Sequence, residues 1–154
     1  MQTNTPLPSD QLSEQMQIRY CALLLGSSFL LLGLAGFLFS SGSDPANLVL
    51  APGYGKALGV VPTNYLHNAV RILVGVWGIA TFTSLSGSII YNQMFAVMYT
   101  AIAVFGLLPV TNTIFGTMPI YGSNILISAL TAGIAYYYGF VKAGNLNQGC
   151  GLST

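Results

Sequence analysis

Residues 20–40 read YCALLLGSSFLLLGLAGFLFS, a run without a single charged side chain. A bilayer crossing takes about 20 mainly apolar residues, and this run supplies them. Three more runs follow. Residues 65–84 (YLHNAVRILVGVWGIATFTS) form the second, interrupted only by His67 and Arg71 near its start. Residues 91–109 form a shorter third, and residues 120–141 the fourth. In hydrocarbon each backbone amide must find a partner inside the protein, so all four runs read as helices.

Composition points the same way. Hydrophobic residues make up 53% of the 154 and charged residues only 5%, whereas a soluble surface draws on about 25% charged residues. Lipid is therefore part of the solvent. The net charge is +1, and Arg19, Lys56, Arg71 and Lys142 are scattered, which excludes a nucleic-acid footprint. Cys21 and Cys150 form neither a metal-ligand spacing nor a disulfide framework. Both fall on the terminal side, where a bond between them is conceivable and free thiols are expected if that side is cytoplasmic. The segment before the first run carries Asp10, Glu14 and one cation, Arg19. It therefore reads as a retained segment and not as a cleaved signal.

The expected fold is an all-α polytopic membrane protein, a four-helix transmembrane bundle with spans at 20–40, 65–84, 91–109 and 120–141. Residues 1–19 are expected to be an interfacial segment with a short helix over Ser9–Arg19, and residues 142–154 a flexible tail. The first connection, Ser41–Asn64, is long. The second, around Leu85–Ile90, is tight, and the third runs from Val110 to Pro119. An even number of spans puts both termini on one side, and Arg19 with Lys142 favours a cytoplasmic location for them. Tyrosines mark two headgroup levels: Tyr20, Tyr91 and Tyr136–Tyr138 on the terminal side, Tyr54, Tyr65 and Tyr121 on the other, with Tyr99 deeper.

The halves echo one another. Gly36-Phe37-Leu38 answers Gly106-Leu107-Leu108, and Leu58-Gly59-Val60-Val61-Pro62 answers Phe115-Gly116-Thr117-Met118-Pro119. His67-Asn68 answers Ser123-Asn124, and Gly78-Ile79-Ala80 answers Gly133-Ile134-Ala135. Each unit is a helical hairpin, so the bundle is expected to be two parallel repeats about an axis along the membrane normal.

One polar constellation stands out: His67, Asn68, Arg71, Asn124 and Ser128. His67 and Arg71 are four apart and share a helix face that continues to Gly75 and Gly78. The fourth run carries a stripe of Asn124, Ser128, Thr131, Ala132 and Ala135, and these two faces are expected to pack together. Ala129 and Gly133, with Ala22 and Gly26, offer a further small-residue contact. Arg71 either snorkels to the headgroups or takes a partner among Asp44, a loop carbonyl, Asn124 and lipid phosphate. His67 has two readings. It donates to a loop carbonyl or to Asn112, or it serves as axial ligand to a chlorophyll magnesium or a haem iron. A lone imidazole makes no zinc site.

Pro62 favours an extended approach, with Thr63 or Asn64 capping the second helix. Tyr121-Gly122-Ser123-Asn124 is expected to start the fourth in the same way. Gly53-Tyr54-Gly55-Lys56 reads as a flexible turn. All three acids lie outside the spans, so no Ser–His–acid set forms, no phosphate-loop motif occurs, and no enzyme is expected.

The stretch Gly59-Val60-Val61-Pro62-Thr63-Asn64-Tyr65-Leu66-His67-Asn68-Ala69-Val70-Arg71, followed by Gly75 and Gly78, resembles the small four-helix bacterial membrane proteins grouped under the domain of unknown function DUF4383. The resemblance covers about Arg19 to Val141. Pro62, Asn64, His67 and Asn68 match the family's Pro-x-Asn-x-x-His-Asn pattern. Arg71 stands where a second histidine is usual, and Ser123-Asn124 offers no counterpart to a histidine near the start of the last helix. The longer first loop is similar to that of cyanobacterial members, which implies a thylakoid or plasma membrane and a photosystem as neighbour. The expected function is a non-enzymatic accessory or structural subunit docking onto a larger membrane complex. The alternatives are a small oligomeric channel or transporter and a pigment- or lipid-binding protein, with chlorophyll, carotenoid or lipid at the helix surfaces.

Overall fold

A computed structural model of the chain describes residues 9–39 and 53–146. Four α-helices dominate it: α1 (Ser9–Leu38), α2 (Tyr65–Thr81), α3 (Leu85–Leu107) and α4 (Ser123–Tyr136). Three helical segments, Ser9–Leu38, Leu85–Leu107 and Ser123–Leu146, are long and apolar enough to cross a membrane. At 17 residues α2 is shorter, roughly 26 Å at 1.5 Å per residue.

The boundaries differ from the sequence expectation at three places. Ser9–Arg19 is no separate interfacial helix but the continuous first part of α1. No Gly or Pro interrupts the chain from Ser9 to Leu25, and Asp10 in the first turn suits the positive end of the helix dipole. The third helix begins at Leu85, so the residues read as the second loop are its first turns. Ser84 caps it by accepting from the Gly87 amide at 3.0 Å, and Ser88 donates back to the Thr81 carbonyl at 2.8 Å. Hydropathy is low there because these hydroxyls are serving the backbone. The fourth helix widens after Tyr136 into a π-helical turn, Tyr137–Lys142, and then stays helical to Leu146. Residues 142–146 are therefore not tail, and the tail's remainder, with Cys150, lies outside the described residues.

The chain is also not purely α-helical. Strands β1 (Gly55–Ala57) and β2 (Val61–Thr63) pair antiparallel, Gly55 opposite Thr63 and Ala57 opposite Val61. The stretch read as a flexible turn thus runs into a strand. Leu58 (φ 51°) and Gly59 (φ 75°) turn the chain in the left-handed region. Pro62 holds β2 extended, and Asn64 (φ −146°) then caps α2 by accepting from the His67 amide at 2.9 Å. The Thr63 hydroxyl goes instead to the Asn68 side chain. The start of α4 has no side-chain cap; Ser123 donates to the Val60 carbonyl at 2.7 Å.

Helix α2 packs along α1, and α4 along α3. The first pair approaches closely because of glycine. A Cβ on Gly26 would lie 2.7 Å from the Ile79 nitrogen and 2.8 Å from the Gly75 oxygen, so small residues set the helix separation. This corrects the expectation that the Gly75–Gly78 face meets α4. Its partner is α1, through Gly26, while Ala22 is buried in the core. Ala129 and Gly133 remain exposed.

Between the helix pairs, Phe95 stacks on Tyr99 at 4.1 Å, with Phe29 edge-on to both. Trp77 meets Tyr91 edge-on at 5.1 Å. Tyr91 is thus a core residue and not a headgroup-level one, whereas Tyr20, Tyr65, Tyr136 and Tyr137 are exposed as expected of a belt.

Burial recurs along the chain. The buried residues of α1 (Ile18, Cys21, Ala22, Leu25, Gly26, Phe29, Gly33, Gly36) are each followed 70 positions later by a buried residue of α3, from Ser88 to Gly106. In the same way His67, Arg71, Gly75 and Gly78 of α2 precede Asn124, Ser128, Ala132 and Ala135 of α4 by 57 positions. The left-handed pair Leu58 and Gly59 precedes another, Phe115 (φ 55°) and Gly116 (φ 85°), by the same 57.

Candidate functional site

At one end of the bundle the start of α2, the start of α4, strand β2 and the turns over 109–117 converge. Arg71 sits at their centre. Its Nη2 donates to Asn124 Oδ1 at 2.6 Å and its Nη1 to Thr63 Oγ1 at 3.3 Å. Asn124 Nδ2 donates onward to two carbonyls, Pro62 at 2.8 Å and Pro119 at 2.9 Å. Asn64 Nδ2 adds a bond to the Thr117 carbonyl at 2.7 Å. These contacts tie the first connection to the third and α2 to α4.

Arg71 and Asn124 are each 2% exposed. Arg71 therefore does not snorkel. It turns inward, because two neutral oxygens and a carbonyl-lined end of the bundle offer what a long reach to the headgroups would otherwise supply. Among the described residues it makes no ion pair, and Asp44 lies outside them. A buried charge paired only with neutral acceptors is held against a desolvation penalty of several kcal/mol. The buried Arg71 Nε has no partner, so the two bonds made by Nη1 and Nη2 carry the arrangement.

The structure brings together His67, Asn68, Arg71 and Asn124, but in unequal roles. His67 is 9% exposed and its ring lies beside the Pro119 carbonyl. Its Nδ1 and the Asn112 Oδ1 both lack partners, so the proposed His67–Asn112 bond is not formed. The Asn68 side chain packs against Gly36, where a Cβ would overlap it, and its Nδ2 is unpartnered. Ser128 is buried one turn further along α4 and takes no part in the bonds around Arg71. Thr131, placed by sequence on the same face, bonds back to the Ile127 carbonyl at 2.6 Å. No group of three or more His, Cys, Asp or Glu side chains suited to a metal occurs among the described residues.

Two contributors were not foreseen. Thr63 acts as the second acceptor for Arg71, and the prolyl carbonyls of residues 62 and 119 act as a matched pair for Asn124. The signal was present in the aligned Pro62 and Pro119, though a proline is read for its φ and not for its carbonyl. At the other end, Arg19 Nε donates to the Phe82 carbonyl at 2.7 Å and Asn92 Nδ2 to the Ile18 carbonyl at 3.1 Å. Arg19 thus serves the carbonyl end of α2, where a cation is favoured.

A small helical chain with membrane-length helices and a polar tie closing one end is the class these features define. The family model described as Domain of unknown function (DUF4383) matches residues 19–141, and the chain belongs to that family. No curated protein and no solved structure matches it.

Proposed function

We propose that the chain is a non-enzymatic structural subunit of a larger membrane assembly, with four spans arranged as two duplicated helical hairpins. The duplication is supported by the constant offsets of buried positions, 70 between α1 and α3 and 57 between α2 and α4. Both hairpins then run in the same sense, with the tie at the loop end joining them.

One observation carries the structural role: Arg71, the one buried cation among the described residues, donates from Nη1 and Nη2 to acceptors inside the protein, with its Nε buried and unpartnered. A channel would need His67, Arg71 and Asn124 to face water, and their burial favours a tie over a conduit. The outward faces are apolar, with Leu24, Leu31, Leu73, Val97, Leu126 and Leu130 all exposed. Such faces suit lateral docking in lipid, and a photosystem is one assembly of the required kind.

Native purification in mild detergent tests the proposal. The expected result is comigration with a larger complex, lost when an exposed face is altered by Leu73→Arg while the isolated chain still folds. A homogeneous homo-oligomer whose ion flux disappears with Arg71→Ala would establish the channel instead.

A further inference from the structure

A groove of about 440 Å³ runs down the outside of the molecule between α1 and α4. Gln17, Tyr20 and Tyr138 line its mouth, Leu24 its wall, and Ser28 and Thr131 its inner end. Lys142 stands at the mouth, bonded to Gln17 Oε1 and 5.7 Å above the Tyr138 ring. We propose that this groove binds one anionic glycerophospholipid of the leaflet on the terminal side, an acyl chain along the groove and the phosphate at Lys142.

Length argues for a lipid of one leaflet. From Gln17 to Ser28, α1 rises roughly 16 Å at 1.5 Å per residue, about half of the ~30 Å hydrocarbon thickness. The polar residues sit where headgroups lie and the apolar wall lies beneath them. Charge argues for an anion. Lys142 has a neutral amide and two aromatic rings as its neighbours. Glu14, one turn before Gln17, makes no ion pair with it. The other cation of this end, Arg19, faces away and is already bonded to the Phe82 and Thr83 carbonyls.

The mouth also coincides with the π-helical turn Tyr137–Lys142, a rare departure that concentrates at functional sites. Gln93 secures it from α3 by donating to the Gly139 carbonyl at 2.9 Å. The turn delivers both Tyr138 and Lys142 to the groove.

The test is lipid retention by the full chain in nanodiscs of equal phosphatidylglycerol and phosphatidylcholine, followed by detergent extraction and native mass spectrometry. One phosphatidylglycerol per chain is expected. Lys142→Gln lowers its retention about fivefold, the worth of one lysine beside an anionic headgroup, and Lys142→Arg keeps it. Leu24→Trp, at a lipid-exposed position, fills the groove and abolishes retention of either lipid. Leu73→Trp, on the exposed face of α2 and outside the groove lining, changes nothing. Equal retention of both lipids, insensitivity to Lys142→Gln, or a copurifying quinone or carotenoid in place of phospholipid would overturn the assignment.

Discussion

Replacing Asn124 with alanine removes three hydrogen bonds at once, to Arg71 and to the Pro62 and Pro119 carbonyls. A bond to a charged donor contributes about 1.5–3 kcal/mol and a neutral one about 0.5–1.5 kcal/mol. Side-chain bonds between membrane helices average nearer 0.6 kcal/mol, because the unfolded chain in lipid also finds partners. That discount applies to the carbonyl bonds more than to the guanidinium, which is 2% exposed and has Thr63 as its remaining acceptor. The expected loss is about 3 kcal/mol. The diagnostic step is the double variant. Arg71→Met removes the stranded charge, so adding it to Asn124→Ala should cost little or restore stability, giving a coupling of about 1–2 kcal/mol. Reversible unfolding in bicelles, followed by steric trapping, reads both. The reasoning fails if Asn124→Ala costs under about 1 kcal/mol, or if the double variant is less stable than the sum of the singles.

Gly26→Ala should destabilise by about 1–3 kcal/mol through overpacking against the backbone of α2, since its Cβ would lie 2.7 Å from the Ile79 nitrogen. Gly133→Ala, where a Cβ meets nothing within 4 Å, should be neutral or stabilising by up to about 1 kcal/mol; the same unfolding measurement compares them. The Tyr121 phenol lies outside the spanning helices, and burial with its hydrogen bond to Tyr54 at 3.1 Å holds its pKa above the ordinary 10.0. Its stabilising contribution is therefore complete below pH 10 and declines as pH rises beyond that value, and Tyr121→Phe should flatten this alkaline loss in a thermal-shift series. Ser128→Arg, by adding a second cation at a buried position one turn from Asn124, should cost more than about 3 kcal/mol and lower the yield of folded protein in detergent.

Hydropathy locates the four α-helices of the described residues, because the length and polarity of the runs are what lipid demands. It misplaced the ends where polar side chains serve backbone rather than water. Ser84 and Ser88 made the start of α3 look like loop, and Gln17 and Arg19 made the start of α1 look like a separate segment. The Arg71–Asn124 pair was legible as a candidate because both residues are costly in an apolar face and must find partners. Thr63 reads in sequence as a cap because a hydroxyl before a helix usually is one; its accepting role depends on β2 lying across the bundle end. Sequence does not reveal that the Gly75–Gly78 face meets α1, because glycine reports how close a neighbour comes and not which neighbour it is. The hairpin β1–β2 escaped because three-residue strands carry too little pattern to separate them from turn.

The proposed duplication accounts for an asymmetry at the site. At the offset of 57, Arg71 corresponds to Ser128, His67 to Asn124 and Pro62 to Pro119. The tie therefore runs from one position in the first half to the neighbouring position, four residues earlier, in the second. Its symmetric twin would run from Ser128 to His67, and that bond is absent, with the His67 Nδ1 unpartnered. A perfect repeat would bury two arginines at one end, where low dielectric makes like charges repel strongly. One cation with one asparagine avoids this while still reaching across. The single amide group of Asn124 reaches both prolyl carbonyls, at 2.8 and 2.9 Å. Under the proposed duplication, divergence at residues 71 and 128 leaves one buried cation at this end where a perfect repeat would place two.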